Sequence, residues 1–426
     1  MFVISTDTGG TPQTNMDLMQ ALAAEYDCLL LRCDSHTLSI SRIVNGQTVL
    51  LETRSLAKPL EPVSHRAEEY DHIVAGWLTR YAVELLHIRH IGWHSLQLPR
   101  IARGLGIPVV FSFHDFYTVC PTVKLLDDKS AFCGGVCTEG KGTCNPELWP
   151  RSTVPHLKHA WVHTWRASMG AMLRECDAFV TTTLSARDLL IANFPWLAER
   201  DFRVIPHGRD FSGFSVLAAP LQCGERLRVL VPGNIGPAKG SDLIARIRQL
   251  DPDTEVELHF LGTVSAEVAR YGVNHGPYRR DEFAARVAAI RPHVGAVLSI
   301  WPETYSHTLT EMWACGVPVV GIDLGAIGER ISQSKGGWLI SSTDPADILA
   351  RLLGIAADPE EHWRVVTEVL AWQRGTGVAY GTAAMAERYS DLYRDARGRR
   401  RVFVPASRPA PAIKTFGLLD RKSTRL

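Results

Sequence analysis

The chain has 426 residues, 46% of them hydrophobic and 21% charged, with a formal net charge of +1. That length accommodates two or three domains with substantial cores, and so balanced a charge gives no reason to expect nucleic acid as the main partner. The first residues lack signal-peptide character and no run of about 18 apolar residues exists to span a bilayer. A cytoplasmic location is therefore expected, with any membrane contact peripheral and from the inner face.

In chain order, Met1 to Ser5 reads as a short apolar strand, followed by a turn from Thr6 to Thr14 that contains Gly9 and Gly10, and a helix from Met16 to Ala24. Strand, glycine turn and helix together open a doubly wound domain. No G-x-G-x-x-G occurs here, so the turn is not a dinucleotide fingerprint. Short strands are expected between Leu29 and Leu51, a helix over His72 to His87, a strand over Ile88 to Trp93 and a helix over His94 to Gly104. The apolar strand Val109 to Phe113 then runs into His114-Asp115-Phe116-Tyr117, which places polar side chains at the carboxyl edge of a sheet, where such sheets bind ligands.

Four of the nine cysteines, Cys120, Cys133, Cys137 and Cys144, fall close together in a segment rich in Gly and Pro. In a cytosolic chain this cluster admits a structural zinc, with unligated or oxidised thiols as the alternative, since the paired C-x2-C spacing of zinc ribbons is missing. A long helix is expected over Trp149 to Asp177, with Trp161, Trp165, Met169 and Met172 at helical spacing and Lys158, Arg166 and Arg174 interleaved. Packing against a sheet is the simpler reading of that stripe, and a basic face on an anionic membrane is the other. A strand from Ala178 to Thr182 and a helix from Ser185 to Asn193 lead to Arg203–Pro206, which ends at His207-Gly208-Arg209-Asp210.

A second strand–glycine–helix opening follows, from Arg228 through Gly233 and Asn234 to Lys239-Gly240-Ser241. Lys239 precedes Gly240, the reverse of the P-loop order, so an NTPase reading fails. After the strand Glu257 to Leu261 and the loop Val273 to Tyr278, a helix is expected over Arg280 to Ala289. The stretch Ile300 to Arg330 carries the densest chemistry. A strand ends near Ile300, a loop runs from Trp301 to His307, and a helix starts near Ser306 to Thr308 and closes at Gly316. Glu303 and Glu311, with seven residues between them, can face one crevice, into which the amides of Ser306, His307 and Thr308 point as a helix N-terminus. A phosphate cradle between two hydroxyl-binding carboxylates suits a nucleotide-sugar. The turn Gly325 to Gly328 and helices over Glu360 to Trp372 and Thr382 to Tyr393 come next, and beyond Arg394 the chain becomes basic and proline-rich.

The E-x7-E element with its trailing Gly and Pro-Val-Val, the His114-Asp115 loop, the His207-Gly208 turn and Lys239-Gly240 occur in an order that resembles the retaining glycosyltransferases of the GT-B fold, family 4 (glycosyl transferases group 1). The resemblance implies an α/β chain with two doubly wound Rossmann-like domains facing a central cleft. Residues 1–215 would form the N-terminal domain on the acceptor side, and residues 216–380 the C-terminal domain that takes the nucleotide-sugar donor. Residues 381–396 would be a helix packing back on the first domain, and 397–426 a basic, disordered tail.

It also implies roles. His114, Glu303 and Lys239 would carry the chemistry: Lys239 on the diphosphate, Glu303 on hydroxyls of the transferred sugar, His114 on that sugar from the opposite domain. Glu311 would hold the ribose and Tyr278 would lie at the nucleobase. Gly9, Gly10, Gly233, Asn234, Ser306, His307 and Thr308 would line the donor. Asn234 stands where the family has Arg, and an amide cannot supply that charge. The activity implied is transfer of a hexosyl-type group to a carbohydrate or lipid-linked glycan with retention of configuration, no cofactor being required for the chemistry. A sugar-nucleotide epimerase or hydrolase of the same fold and a non-catalytic nucleotide-sugar-binding protein are the alternatives.

Overall fold

The computed structural model describes residues 1–5, 10–61, 64–137, 142–154 and 156–399. The first half of the chain gives β1 (Phe2–Ile4), α1 (Gly10–Leu22), β2 (Leu29–Cys33), β3 (Thr37–Val44), β4 (Gln47–Ser55), α2 (Glu68–Arg80) and β5 (Leu86–Ile88). It continues with α3 (Leu98–Gly104), β6 (Val109–Ser112), α4 (His159–Leu173), β7 (Ala178–Thr181), α5 (Leu184–Asn193) and β8 (Asp201–Val204). The eight strands form one sheet in the order β4-β3-β2-β1-β5-β6-β7-β8. Pairing is parallel from β2 through β8, and the hairpin β3–β4 adds an antiparallel edge.

The second half gives β9 (Leu227–Ile235), α6 (Ser241–Leu250), β10 (Val256–Val264), α7 (Ala266–Ala269), β11 (Val273–Asn274), α8 (Phe283–Ile290) and β12 (Val294–Val297). Then follow α9 (His307–Ala314), β13 (Val319–Ile322), α10 (Gly325–Ser334), β14 (Gly337–Ile340), α11 (Pro345–Ala357), α12 (Pro359–Trp372) and α13 (Thr382–Gly398). These six strands are ordered β11-β10-β9-β12-β13-β14, all parallel. The central strands β12 and β13, buried on both faces, read as unbroken apolar runs such as Val319–Ile322 rather than alternating ones.

The strand order reverses between β9 and β12, winding outward to β11 on one side and to β14 on the other, and such a switch point opens a crevice at the carboxyl ends of the strands. The segments after β9 and β12 are those that carry Lys239 and Glu303. Two glycines let them close on each other. Gly233 (φ 98°) lies where a Cβ would come 2.9 Å from Thr308, and at Gly240 (φ 82°) a Cβ would meet the Leu298 carbonyl at 2.4 Å. Only a residue without a side chain fits either position comfortably.

Several sequence expectations are redrawn. Helix α1 starts at Gly10 rather than Met16, with Pro12 tolerated in the first turn, where amides have no helical partner anyway. Helix α2 ends at Arg80, followed by Ala82 at φ 47°, so that His87 belongs to strand β5 and not to the helix. The long helix over Trp149 to Asp177 is shorter: Pro150 leads into a single 3-10 turn, and α4 starts only at His159. Strand β9 runs on through Gly233 and Asn234, and Gly325–Gly328 is the first turn of α10 rather than a free turn.

Helix α13 crosses back to the first sheet. Its Met385, Tyr389, Leu392 and Tyr393 share one buried cluster with Phe2, Ile4, Leu18 and Val110. The return is anchored where Asp210 accepts from the Thr382 amide at 2.8 Å. The basic tail expected beyond 397 lies outside the described residues from position 400 on.

Candidate active site

A cavity of about 860 Å³ lies between the carboxyl edges of the two sheets. From the first domain Gly10 and His114 reach it. From the second come Gly233, Asn234, Lys239 and Tyr278, and the whole Glu303–Glu311 element through Glu303, Ser306, His307, Thr308 and Glu311. Gly9 lies outside the described residues. The remaining residues singled out from the sequence thus line a single space.

The loop before α9 is held in a costly shape. Ser306 has φ 69°, a left-handed conformation that burdens a non-glycine residue with roughly 1 kcal/mol or more. Arg330 compensates by donating to the carbonyls of Tyr305 (2.8 Å) and Ser306 (2.9 Å) and to Thr310 Oγ1 (2.8 Å), while its guanidinium lies 4.3 Å over the Tyr305 ring. The turn so fixed leaves the first amides of α9 without intrahelical partners at the cavity wall.

Both carboxylates are already matched by cations. Glu303, 5% exposed, accepts from Lys239 Nζ and from Ser299 Oγ. Glu311, 4% exposed, accepts from Arg209 and, at 2.9 Å, from the Tyr278 hydroxyl. A carboxylate buried this deeply costs several kcal/mol unless paired, and these partners meet that cost and fix its aim. Burial, together with Glu311, pushes the Tyr278 phenol far above its ordinary range and keeps it a hydrogen-bond donor.

A stack of three imidazoles spans the cleft, His114 and His207 from the first domain and His307 from α9. The ring of His207 is 5.2 Å from that of His114 and 5.2 Å from that of His307, at interplanar angles of 10° and 13°. Burial pulls His307 down to about 3, helped by Arg280, and drives His114 and His207 well below the usual histidine range. All three are neutral near pH 7. Among the described residues, both ring nitrogens of His114 and Nδ1 of His207 and of His307 have no hydrogen-bond partner. Each neutral ring has one donor and one acceptor, which suits hydroxyl groups better than phosphates.

The two walls are joined by direct bonds. Thr304 Oγ1 donates to the His114 carbonyl (2.7 Å), and Tyr305 donates to the His207 carbonyl (2.8 Å). Arg280 pairs with Asp17 of α1 at 2.8 Å, and Glu329 caps α5 by accepting from the amides of Leu184 (3.1 Å) and Ser185 (2.6 Å).

Arg209, His207, Arg280 and Arg330 were not anticipated as site residues. The turn holding His207 and Arg209 was visible as a domain closure, but nothing local says that Arg209 reaches a carboxylate 102 positions downstream.

The zinc expectation is not supported. Among the described residues no set of three or more His, Cys, Asp or Glu side chains could hold a metal ion. Cys120, Cys133, Cys137 and Cys144 are free thiols around a small cavity that Lys158 and Arg166 also line. Burial raises Cys120 to about 11. Arg166 ties this loop together instead, donating to the carbonyls of Val119 and Gly135. Lys158 pairs with Asp128 at 2.9 Å. These two basic residues at α4 thus turn toward the loop, and no helix among the described residues is long and apolar enough to cross a membrane.

Two doubly wound domains meeting over such a cleft define the GT-B fold. Residues 8–212 match the family model Glycosyltransferase Family 4, and residues 226–358 match Glycosyl transferases group 1. Among curated proteins the chain is 25% identical over 177 residues to D-inositol 3-phosphate glycosyltransferase of Paenarthrobacter aurescens, covering 36% of this chain and 43% of that one. It is 26% identical over 222 residues to glycogen synthase of Mycobacterium tuberculosis, covering 50% and 51%. The matched part is thus about half the length of these relatives. Among solved structures, Anabaena HepE in complex with UDP and glucose aligns with a TM-score of 0.58 at 12% identity over 92% of this chain and 98% of that one. Sucrose-phosphate synthase from Thermosynechococcus elongatus aligns with a TM-score of 0.60 at 14% identity over 92% and 98%.

Proposed function

We propose that this chain is a glycosyltransferase that moves a sugar from a nucleotide-sugar donor to a carbohydrate or lipid-linked glycan acceptor with retention of configuration. The observation that carries the reading is the Lys239–Glu303 pair beside the N-terminus of α9, facing His114 across one cavity. The diphosphate would lie at the α9 amides and Lys239, where the charge that develops on the leaving group is stabilised by groups already in place. Glu303 would accept from sugar hydroxyls, Glu311 from the ribose, and His114 would orient the sugar from the other domain. Tyr278 would flank the nucleobase.

The acceptor oxygen would bond to the anomeric carbon as the bond from that carbon to the phosphate oxygen breaks through an oxocarbenium-like state. The acceptor's proton would pass to the leaving phosphate. Glu303 and Glu311 are both engaged by cations, which favours this same-face course over attack by an enzyme carboxylate.

A panel of nucleotide-sugars in thermal-shift assays, followed by mass spectrometry of products and NMR of the new linkage, tests the proposal. Stabilisation by one donor and an acceptor-dependent product of unchanged anomeric form are expected. Release or isomerisation of sugar from donor alone would sink the transferase reading in favour of a hydrolase or epimerase.

A further inference from the structure

A bound diphosphate needs positive charge, and the cations that line the cavity differ in how easily they can supply it. Arg209 cannot leave Glu311 without stranding a carboxylate that is 4% exposed. Lys239 is held by Glu303, which otherwise accepts from the Ser299 hydroxyl. Asn234, exposed at the end of β9, adds no charge, and Arg279 is turned to the solvent and held by its own neighbour Asp281 at 3.0 Å, both within the second domain. Arg280 is different. It lines the cavity, yet its partner Asp17 belongs to α1 of the other domain, and the two side chains are 29% and 25% exposed. Ion pairs that water reaches this way contribute little, so this one can be exchanged cheaply.

We infer that Arg280 is a second phosphate-binding cation of the donor site, held on Asp17 until a diphosphate takes its place. The inference rests on the donor reading above and deepens it. Its position agrees with the electrostatics: after burial itself, Arg280 is the largest influence holding down His307, the first residue of α9. Because Asp17 and Arg280 come from opposite domains, the exchange also links donor charge to the contact between the two walls. Asn234, facing the cleft from β9, leaves room for a compensating arginine.

Calorimetric titration of the purified full chain with UDP, GDP and ADP, and with uridine, guanosine and adenosine, tests this. The wild type is expected to bind one diphosphate best. Arg280→Gln should weaken that diphosphate about tenfold, as for loss of one charged hydrogen bond, while the matching nucleoside binds as before. Adding Asn234→Arg should recover most of the loss, and Asp17→Asn alone should tighten the diphosphate severalfold. If Arg280→Gln does not fold, Arg280→Lys and Asp17→Asn give the same comparison. Unchanged diphosphate affinity, or equal weakening of nucleoside and diphosphate, would overturn the role of Arg280 and leave the donor reading standing. A wild type that binds none of the three diphosphates would overturn both.

Discussion

On the C-terminal wall of the cleft the carboxylates Glu303 and Glu311 are each met by a cation, whereas His114 and His207 on the N-terminal wall are neutral rings with unpartnered nitrogens. The difference follows from what each wall is made of. The second sheet delivers its polar groups on a loop and a helix N-terminus, where dipoles and side-chain charges add. The first sheet delivers imidazoles into a space so enclosed that a charged ring would lose its water, so desolvation neutralises them. In the reaction proposed, one wall would serve the phosphates and the other the hydroxyls.

The comparison breaks most severely if the charged wall is emptied. Lys239→Ala should lower kcat/KM about a thousandfold, the scale of losing a preorganised charge partner in the transition state, as read by steady-state kinetics. It should also leave Glu303 buried with only a hydroxyl for company. A loss in KM alone, with kcat untouched, would mean that Lys239 only binds.

Acid attacks the buried histidines of both domains. His307 and His94 are held at about 3 and His65 at about 4, against 6.5 in an unfolded chain, each chiefly by burial. The unfolded state therefore binds protons that the folded state refuses. Their stabilising contribution is complete above about pH 6.5 and shrinks as the pH falls toward the folded values. Each imidazole forfeits up to about 1.4 kcal/mol per pH unit in that window. Thermal midpoints recorded from pH 7.5 down to pH 5 should fall steeply below about 6.5, and a flat profile would contradict neutral buried rings.

A gentler probe is His114→Ala, expected to cost about 10- to 100-fold in transfer while a nucleoside diphosphate without the sugar binds as to the wild type. An equal loss of diphosphate binding would place His114 on the phosphate side and erase the division of labour. The smallest effect should come from Glu329→Ala. This residue only caps α5 across the cleft, so a cost of about 1 kcal/mol or less and a change in KM within about threefold are expected.

The C-terminal wall was far more legible in the sequence than the N-terminal one. Strand, glycine, helix and the spacing of Glu303 and Glu311 are local patterns, and local patterns survive in a string of letters. What escaped were contacts between distant segments: Arg330 gripping the Ser306 turn, Arg209 reaching Glu311, and His207 sliding between two other rings. Helix limits slipped where one residue decided them. Pro150 cut the expected helix over Trp149 to Asp177, and the left-handed Ala82 follows where α2 stops short of His87. The clustering of four cysteines admitted a metal as a composition cue, although their spacing spoke against it, and the loop is secured by Arg166 and by indole hydrogen bonds such as Trp165 Nε1 to the Tyr117 carbonyl at 2.9 Å.

The return of α13 has a consequence for how the molecule is made. Tyr389 and Tyr393 complete the cluster around Phe2 and Leu18, and Tyr393 donates to or accepts from His87 at 2.6 Å. The first sheet must therefore wait, with that face only partly covered by α1, until α13 has been synthesised. A piece ending at residue 215 would lack that cover and should aggregate. The second domain, whose two core clusters draw only on residues between 214 and 372, can fold first although it is translated later.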